Sequence, residues 1–403
     1  MLLKIKKNNI LLLLYVMLSA FYTSPLFNIG LFDYVLYVLF LFNWFFIIWG
    51  LFYALKNDDA KVVLSLALII VVIFMVCMLN GTSLRQCNVI LTLIIGMYYT
   101  TSISYSKAFY QLISIVGLIY NVLALIKSPN YFVNWEASGQ ATMNPNTIGI
   151  MNLFFAIIIN SYIHLFVPDR RKKYCYMFYN ALLLYILFMY RSRTAQVAFL
   201  VFVIVFVLLK REILNKPKLL FIITCGLSIM GTIAPLLYLA MPKQIMDWIA
   251  NTTGKSYFSG REIIWGRFYA ALADFKTLVI GPGMWRKEQY TSLWNNGRVY
   301  SMHNNYLDII LCFGLIGLII FTLFIATRIY GLSKRKVLNN YVCLSGYFSF
   351  MILGYTENNF SYAFFVMLYN ILIGLAANYA QTECQFRYCG TAIPFLTVRS
   401  TAR

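Results

Sequence analysis

Few residues in this sequence could do chemistry, and they fall in a handful of places: Asn144-Pro145-Asn146, Arg191-Ser192-Arg193, Arg261, Arg267, His303-Asn304-Asn305 with Asp308, and Glu357. A guanidinium fork holds a phosphate or diphosphate through two parallel hydrogen bonds. Arg191 and Arg193 alone also fit snorkelling to lipid phosphates at a helix end. Arg261 and Arg267 on the same side tip the reading to a diphosphate clamp built from all four. His303 is one of two histidines, and imidazole moves protons at neutral pH; its alternative is a histidine at a helix start. His164, near the other end of its segment, reads as structural. Glu357 offers either a base or the counter-ion of an arginine, with the counter-ion preferred, and Asp308 carries the same ambiguity. Asn146 and Asn304 are candidate substrate-binding amides, although each also suits a helix start. Trp265 is a candidate substrate-binding ring, since Tyr- and Trp-lined grooves suit sugars.

Several constellations are missing from the sequence. There is no P-loop, no HExxH, no Cys/His cluster, no outer Asp-x-Asp pair and no G-x-S-x-G elbow, so neither a cofactor nor a metal is expected.

The elements that must position these residues are read from composition. The chain has 403 residues, 61% hydrophobic and only 11% charged, against about 25% charged in a soluble domain. An all-α polytopic membrane protein is the expectation. Twelve apolar stretches approach the roughly 20 residues that cross a bilayer: 9–28, 31–55, 62–79, 88–105, 108–126, 147–167, 174–190, 194–209, 219–241, 305–327, 341–355 and 361–379. The first reads as its own anchor, without a signal cleavage site. With both ends inside, 21 of the 33 Lys and Arg fall on the cytoplasmic side, while the short outer loops hold only Arg85, Lys127, Arg191 and Arg193. That bias matches the positive-inside rule and assigns the +20 charge to the bilayer rather than to nucleic acid.

The expected order is nine spans over 1–241, an extracytoplasmic loop over 242–304, three spans over 305–380 and a cytoplasmic tail over 381–403. The loop holds Trp248, Trp265, Trp285 and Trp294. Ser259-Gly260-Arg261-Glu262 has capping-box spacing, and Ile264, Phe268, Leu272 and Phe275 follow at helical period, predicting an amphipathic helix over 260–276. Gly281-Pro282-Gly283 then forces a turn, and Gly314 and Gly317 suit close helix packing. The eight cysteines lack metal-finger spacing; Cys77 and Cys87 flank one short outer loop and could pair.

The run Gly260-Arg261-Glu262-Ile263-Ile264-Trp265, then Gly281-Pro282-Gly283, His303-Asn304-Asn305-Tyr306-Leu307 and Gly314-Leu315-Ile316-Gly317 resembles the core of the O-antigen ligase/polymerase family. These are the WaaL-like and Wzy-like bacterial membrane enzymes. Asn144-Pro145-Asn146 and Ser192-Arg193-Thr194 resemble two further motifs in the right order, and the resemblance covers roughly 130–380. It implies a metal-independent glycosyltransferase in the bacterial plasma (inner) membrane, using undecaprenyl-diphosphate-linked oligosaccharides on the outer face. Arg193, Arg261 and His303 match its functional positions. Ligases tend to carry His-Asn-Glu where this chain has His-Asn-Asn-Tyr, which favours a polymerase of repeat units for O-antigen, capsule or exopolysaccharide. The partners implied are the lipid-linked oligosaccharide, the bilayer, a flippase and a chain-length regulator. The alternatives are a ligase to lipid A–core and a flippase; a carrier would place its polar residues near the midplane in repeated halves, and neither feature is evident here.

Overall fold

The computed structural model describes residues 6–26, 33–57, 60–138, 143–209, 211–253, 261–283, 302–359 and 363–377. Among them every element is a helix: α1 Lys7–Tyr22, α2 Asp33–Asn57, α3 Ala60–Asn80, α4 Leu84–Leu91, α5 Met97–Ser102, α6 Lys107–Lys127, α7 Tyr131–Ala137, α8 Pro145–Phe166, α9 Asp169–Met189, α10 Arg193–Leu208, α11 Pro217–Leu239, α12 Lys243–Thr253, α13 Arg261–Ala271, α14 Phe275–Ile280, α15 Asn305–Lys334, α16 Tyr341–Leu353 and α17 Ala363–Ala377. A π-helical turn, Thr92–Gly96, joins α4 to α5.

Local chemistry sets several starts. Asn144 accepts from the Asn146 amide ahead of Pro145 at the first turn of α8. Ser106 accepts from Phe109 to begin α6, and Asn340 from Cys343 to begin α16. A short polar side chain satisfies an amide that the first turn leaves without a partner.

Among the described residues, each of the twelve apolar stretches overlaps a helix. Six helices among the described residues are long and apolar enough to cross a bilayer: α2, α3, α6, α8, α11 and α15; α1, α10, α16 and α17 are apolar but shorter. Burial sorts them into inner and outer positions. In α8, 83% of the apolar stretch is buried in protein, against 22% in α3. A helix apolar all round and covered all round is the centre of a bundle, and α6, α9, α10 and α16 pack on α8. On α3, Leu64, Leu68, Val71 and Met78 are exposed, as suits a helix against lipid.

Polar side chains tie the inner helices. Asn121 Nδ2 donates to Asn152 Oδ1 at 2.6 Å and Tyr179 OH to Asn121 Oδ1 at 2.6 Å, while Asn160 and Asn180 exchange amide bonds at 2.9 and 3.0 Å. Between helices in a bilayer such bonds hold register where apolar contact alone does not. Near the basic end of α15, Arg328 lies over the Tyr98 ring and donates to Thr101 Oγ1 and Ser102 Oγ at 2.8 and 2.7 Å.

The segment after α11 differs from its sequence reading. The amphipathic helix predicted over 260–276 ends at Ala271, because Asp274 accepts from the Thr277 amide at 2.8 Å and starts α14 afresh. Ile264 and Phe268 are buried as the period requires, but Phe275 is 78% exposed and belongs to the next helix. The segment also contains α12, which the apolar pattern did not mark. Ser259 and Gly260 of the capping box, Trp285, Trp294 and the tail after 377 lie outside the described residues.

Glycines dock this segment on the bundle. At Gly314 the chain leaves helical geometry (φ 63°, ψ −165°), breaking α15 into a short first half and a long second half. A Cβ at Gly314 would strike the Val279 carbonyl, and one at Gly281 (φ 80°) would strike the Ile310 carbonyl. Gly283 donates its amide to Leu311 O at 2.9 Å, and Thr82 Oγ1 donates to Cys312 O at 2.8 Å, so carbonyls released by the break find partners. At Gly317 a Cβ would first meet Phe313 and Ile309 of its own helix. Gly314→Ala is expected to cost more than the ~1–3 kcal/mol of positive-φ strain alone, because its Cβ also strikes the Val279 carbonyl, read as a lower unfolding temperature in detergent. Gly331→Ala, with open space around it, should be neutral or slightly stabilising.

Candidate functional site

Four chain ends meet at one carboxylate. Glu357, between α16 and α17, accepts on Oε1 from Asn146 Nδ2 at 3.0 Å, Thr194 Oγ1 at 3.0 Å and Arg261 Nη2 at 3.2 Å. Those donors stand at the first turns of α8, α10 and α13. The Arg261–Glu357 pair is largely covered, with 16% and 12% of the two side chains exposed. Glu357 Oε2 accepts no hydrogen bond from the described residues. Glu357 is thus ion-paired with Arg261, the contact that the counter-ion role requires.

Sequence dictates how the first turns come together. Gly149 in α8 lies against Ser192 and Ala195, with room for no side chain between them: a Cβ there would stand 2.7 Å from Ser192 Cβ. The beginnings of α8 and α10 therefore close up, and Asn146 and Thr194 reach one oxygen.

Around this carboxylate the charge is positive. Arg193 lies close enough to Arg261 for the two like charges to oppose each other, with Tyr238 of α11 also beside it. Arg191 takes a left-handed backbone (φ 49°) in the three-residue link before α10, and its guanidinium lies 5.2 Å from the centre of the Phe132 ring on α7. Arg267 is exposed, six residues and roughly 120° around α13 from Arg261. The structure thus brings Arg193 and Arg261 together, seats Arg191 on Phe132 and turns Arg267 away.

His303 lies in the turn ahead of α15, exposed and left-handed (φ 49°), a strained conformation for a residue other than glycine. The neighbouring chain holds it there. The Met302 carbonyl accepts from Trp265 Nε1 at 2.7 Å, and the Met302 amide donates to Asp308 Oδ1 at 3.0 Å. Trp265 itself is fully buried, edge-on to Tyr238 at 5.3 Å. Its indole N–H anchors the turn, and its ring forms part of the wall of the apolar cavity beside Thr194.

Asn304 and Asn305 also work on position. Asn304 is fully buried; its Oδ1 accepts from the Tyr306 and Leu307 amides, and its Nδ2 donates to Gly231 O at 2.8 Å and Tyr355 O at 2.9 Å. These bonds use both ends of its amide as a cap and cross-brace, in place of the substrate contact expected of it. Asn305 donates its backbone amide to Gly354 O and accepts from the Asn359 amide at 2.7 Å. Together the two asparagines hold both sides of the loop that carries Glu357. Sequence reasoning missed Asn359 as part of the site, while Thr194 and Asn305 stood within the motifs it singled out without roles of their own.

The imidazole of His303 is accessible yet crowded by protein. That crowding and the Arg261 guanidinium lower its pKa below the ordinary histidine value, while Glu357 opposes the shift. Both lowering causes disfavour the protonated ring, so the neutral form persists to lower pH. If this ring is the base, kcat/KM should stay level through the usual histidine range near about 6.5 and fall only below it, as a pH–rate profile would show.

Beside Thr194 an apolar cavity of about 170 Å³ opens between α10, α11, α13 and α16, lined by Val197, Ala198, Ala234, Tyr238 and Leu353 among others. Among the described residues no cluster of metal-ligating side chains forms.

A family model described as O-antigen ligase matches residues 178–322, from within α9 into α15. The matched span contains Arg193, Arg261 and His303 and stops short of Asn146 and Glu357. No curated protein and no solved structure matches the chain.

Proposed function

We propose that this chain, whose residues 178–322 match a family model described as O-antigen ligase and which carries helices long and apolar enough to cross a membrane, polymerises undecaprenyl-diphosphate-linked repeat units on the outer face of the plasma membrane. The carrying observation is the Arg261–Glu357 ion pair, with Arg193 and His303 each near enough to Arg261 to feel its charge.

The chemistry follows from the charges. An acceptor hydroxyl attacks the anomeric carbon of the donor sugar, a new C–O bond forms, and the bond to the diphosphate breaks with its electron pair. Charge grows on the departing diphosphate, and positioned guanidiniums stabilise it without reorganising. Two arginines against one carboxylate leave the site net positive, suited to an anion. The neutral imidazole of His303 takes the hydroxyl proton. Glu357 holds Arg261 in place, and the apolar cavity beside Thr194 gives room for the first prenyl carbons of the carrier. Metal is not required by this scheme.

The ligase reading stays second, because the matching family model carries that description, while His-Asn-Asn-Tyr favours the polymerase. Cells lacking this protein distinguish them. Loss of a polymerase leaves single repeat units on the carrier and the surface, whereas loss of a ligase strands long chains on the carrier. Long carrier-linked chains in the deletion strain would reject the polymerase.

A further inference from the structure

At the same end of the molecule as His303, the turn between α3 and α4 brings two sulfurs together. Cys77 Sγ and Cys87 Sγ stand 2.8 Å apart, both side chains buried. Between them lies a polar strut: Asn80 Nδ2 donates to Ile280 O at 2.5 Å and to Cys312 O at 2.9 Å, and Thr82 Oγ1 donates to Cys312 O. Those acceptors flank the break at Gly314 that frees the short first half of α15. The hairpin carrying the two cysteines thus supports the half-helix that follows His303.

We propose that Cys77 and Cys87 form a structural disulfide that clamps this hairpin under the broken helix. The charge bias places the turn on the extracytoplasmic side, where disulfides form and persist. The oxidant is an extracytoplasmic dithiol–disulfide oxidoreductase. The thiolate of one cysteine attacks its disulfide to give a mixed disulfide. The second thiolate then displaces the oxidant's sulfur, forming the Cys77–Cys87 bond. Two electrons and two protons leave with the oxidant as its dithiol. The pair closes while the hairpin is still accessible, before α15 covers it.

Arg85 lies between the cysteines, so trypsin puts them on separate peptides, 62–85 and 86–107. Full-length protein from native membranes is acid-trapped, alkylated under denaturing conditions without reductant, digested and weighed. The expected result is one linked species, two hydrogens lighter than the separate peptides together, which reductant resolves into the two. Protein from a strain lacking the oxidant should show both thiols alkylated. Wild-type protein with Cys77 and Cys87 alkylated before any reduction, or with either joined to Cys312, overturns the proposal. The readout is thiol state alone, so it stands or falls independently of the polymerase reading. In a second measurement, Cys77→Ser and Cys87→Ser should each lower the unfolding temperature to the value of reduced wild type, with the double variant no lower.

Discussion

Arg193→Ala and Arg261→Ala are each expected to abolish visible polymer while the protein still reaches the membrane. Loss of one preorganised group facing developing charge costs about 10²–10³ in rate, enough to erase a ladder on a gel. The two variants should differ in one respect. Arg261→Ala also removes the ion-pair partner of Glu357, leaving that carboxylate to Asn146 and Thr194 alone. Its stability should therefore fall, whereas Arg193→Ala should unfold near the wild-type temperature. Lysine at either position should restore little, since an ammonium cannot make the forked contact. Membrane yield by blot and product length by gel give both readouts, and full-length polymer from both alanine variants would remove the clamp.

For His303 the expected loss is in turnover. Removing a positioned general base costs about 10²–10⁴, and the donor, held by the arginines, should bind as before. Backbone strain complicates a plain alanine variant, because position 303 is left-handed (φ 49°). Asparagine tolerates that conformation, so His303→Asn removes the base while keeping the turn. Both variants should lose kcat with little change in donor Kd, and the acid limb of the pH profile should vanish with the ring. Wild-type turnover in His303→Asn would take the imidazole out of the mechanism.

Much of this site is legible in the amino-acid sequence. Charge bias and apolar length put the starts of the stretches at 147, 194 and 305 on one side with the end of that at 341, and the bonds from Asn146 and Thr194 to Glu357 Oε1 and from the Asn305 amide to Gly354 O show those ends touching. Arginine type and sidedness pick out Arg191, Arg193, Arg261 and Arg267 as one set. What spacing does not supply is division of labour. Trp265, Asn304 and Asn305 look like substrate contacts or caps, and they prove to brace His303 and the Glu357 loop through backbone groups at Met302, Gly354 and Tyr355, which no side-chain pattern announces. Arg191 and Arg267 resemble the working arginines in type and side; only the φ of one and the helical angle of the other set them apart. Hydropathy also runs unbroken through Gly314, because a positive φ leaves no trace in an apolar average. The fresh start at Asp274 is readable in principle, as an acidic cap three residues before Thr277, but the longer apolar period masks it.

The central claim is that this outward-facing cluster transfers a glycan from a diphosphate carrier. Purified full-length protein supplied only with undecaprenyl-diphosphate-linked repeat units tests it most directly, with Arg193→Ala protein in parallel. A ladder of lengthening carrier-linked products from the wild type, absent from the variant, is the predicted result. Units that stay single with folded wild-type protein, or a variant ladder equal to the wild type, would contradict it.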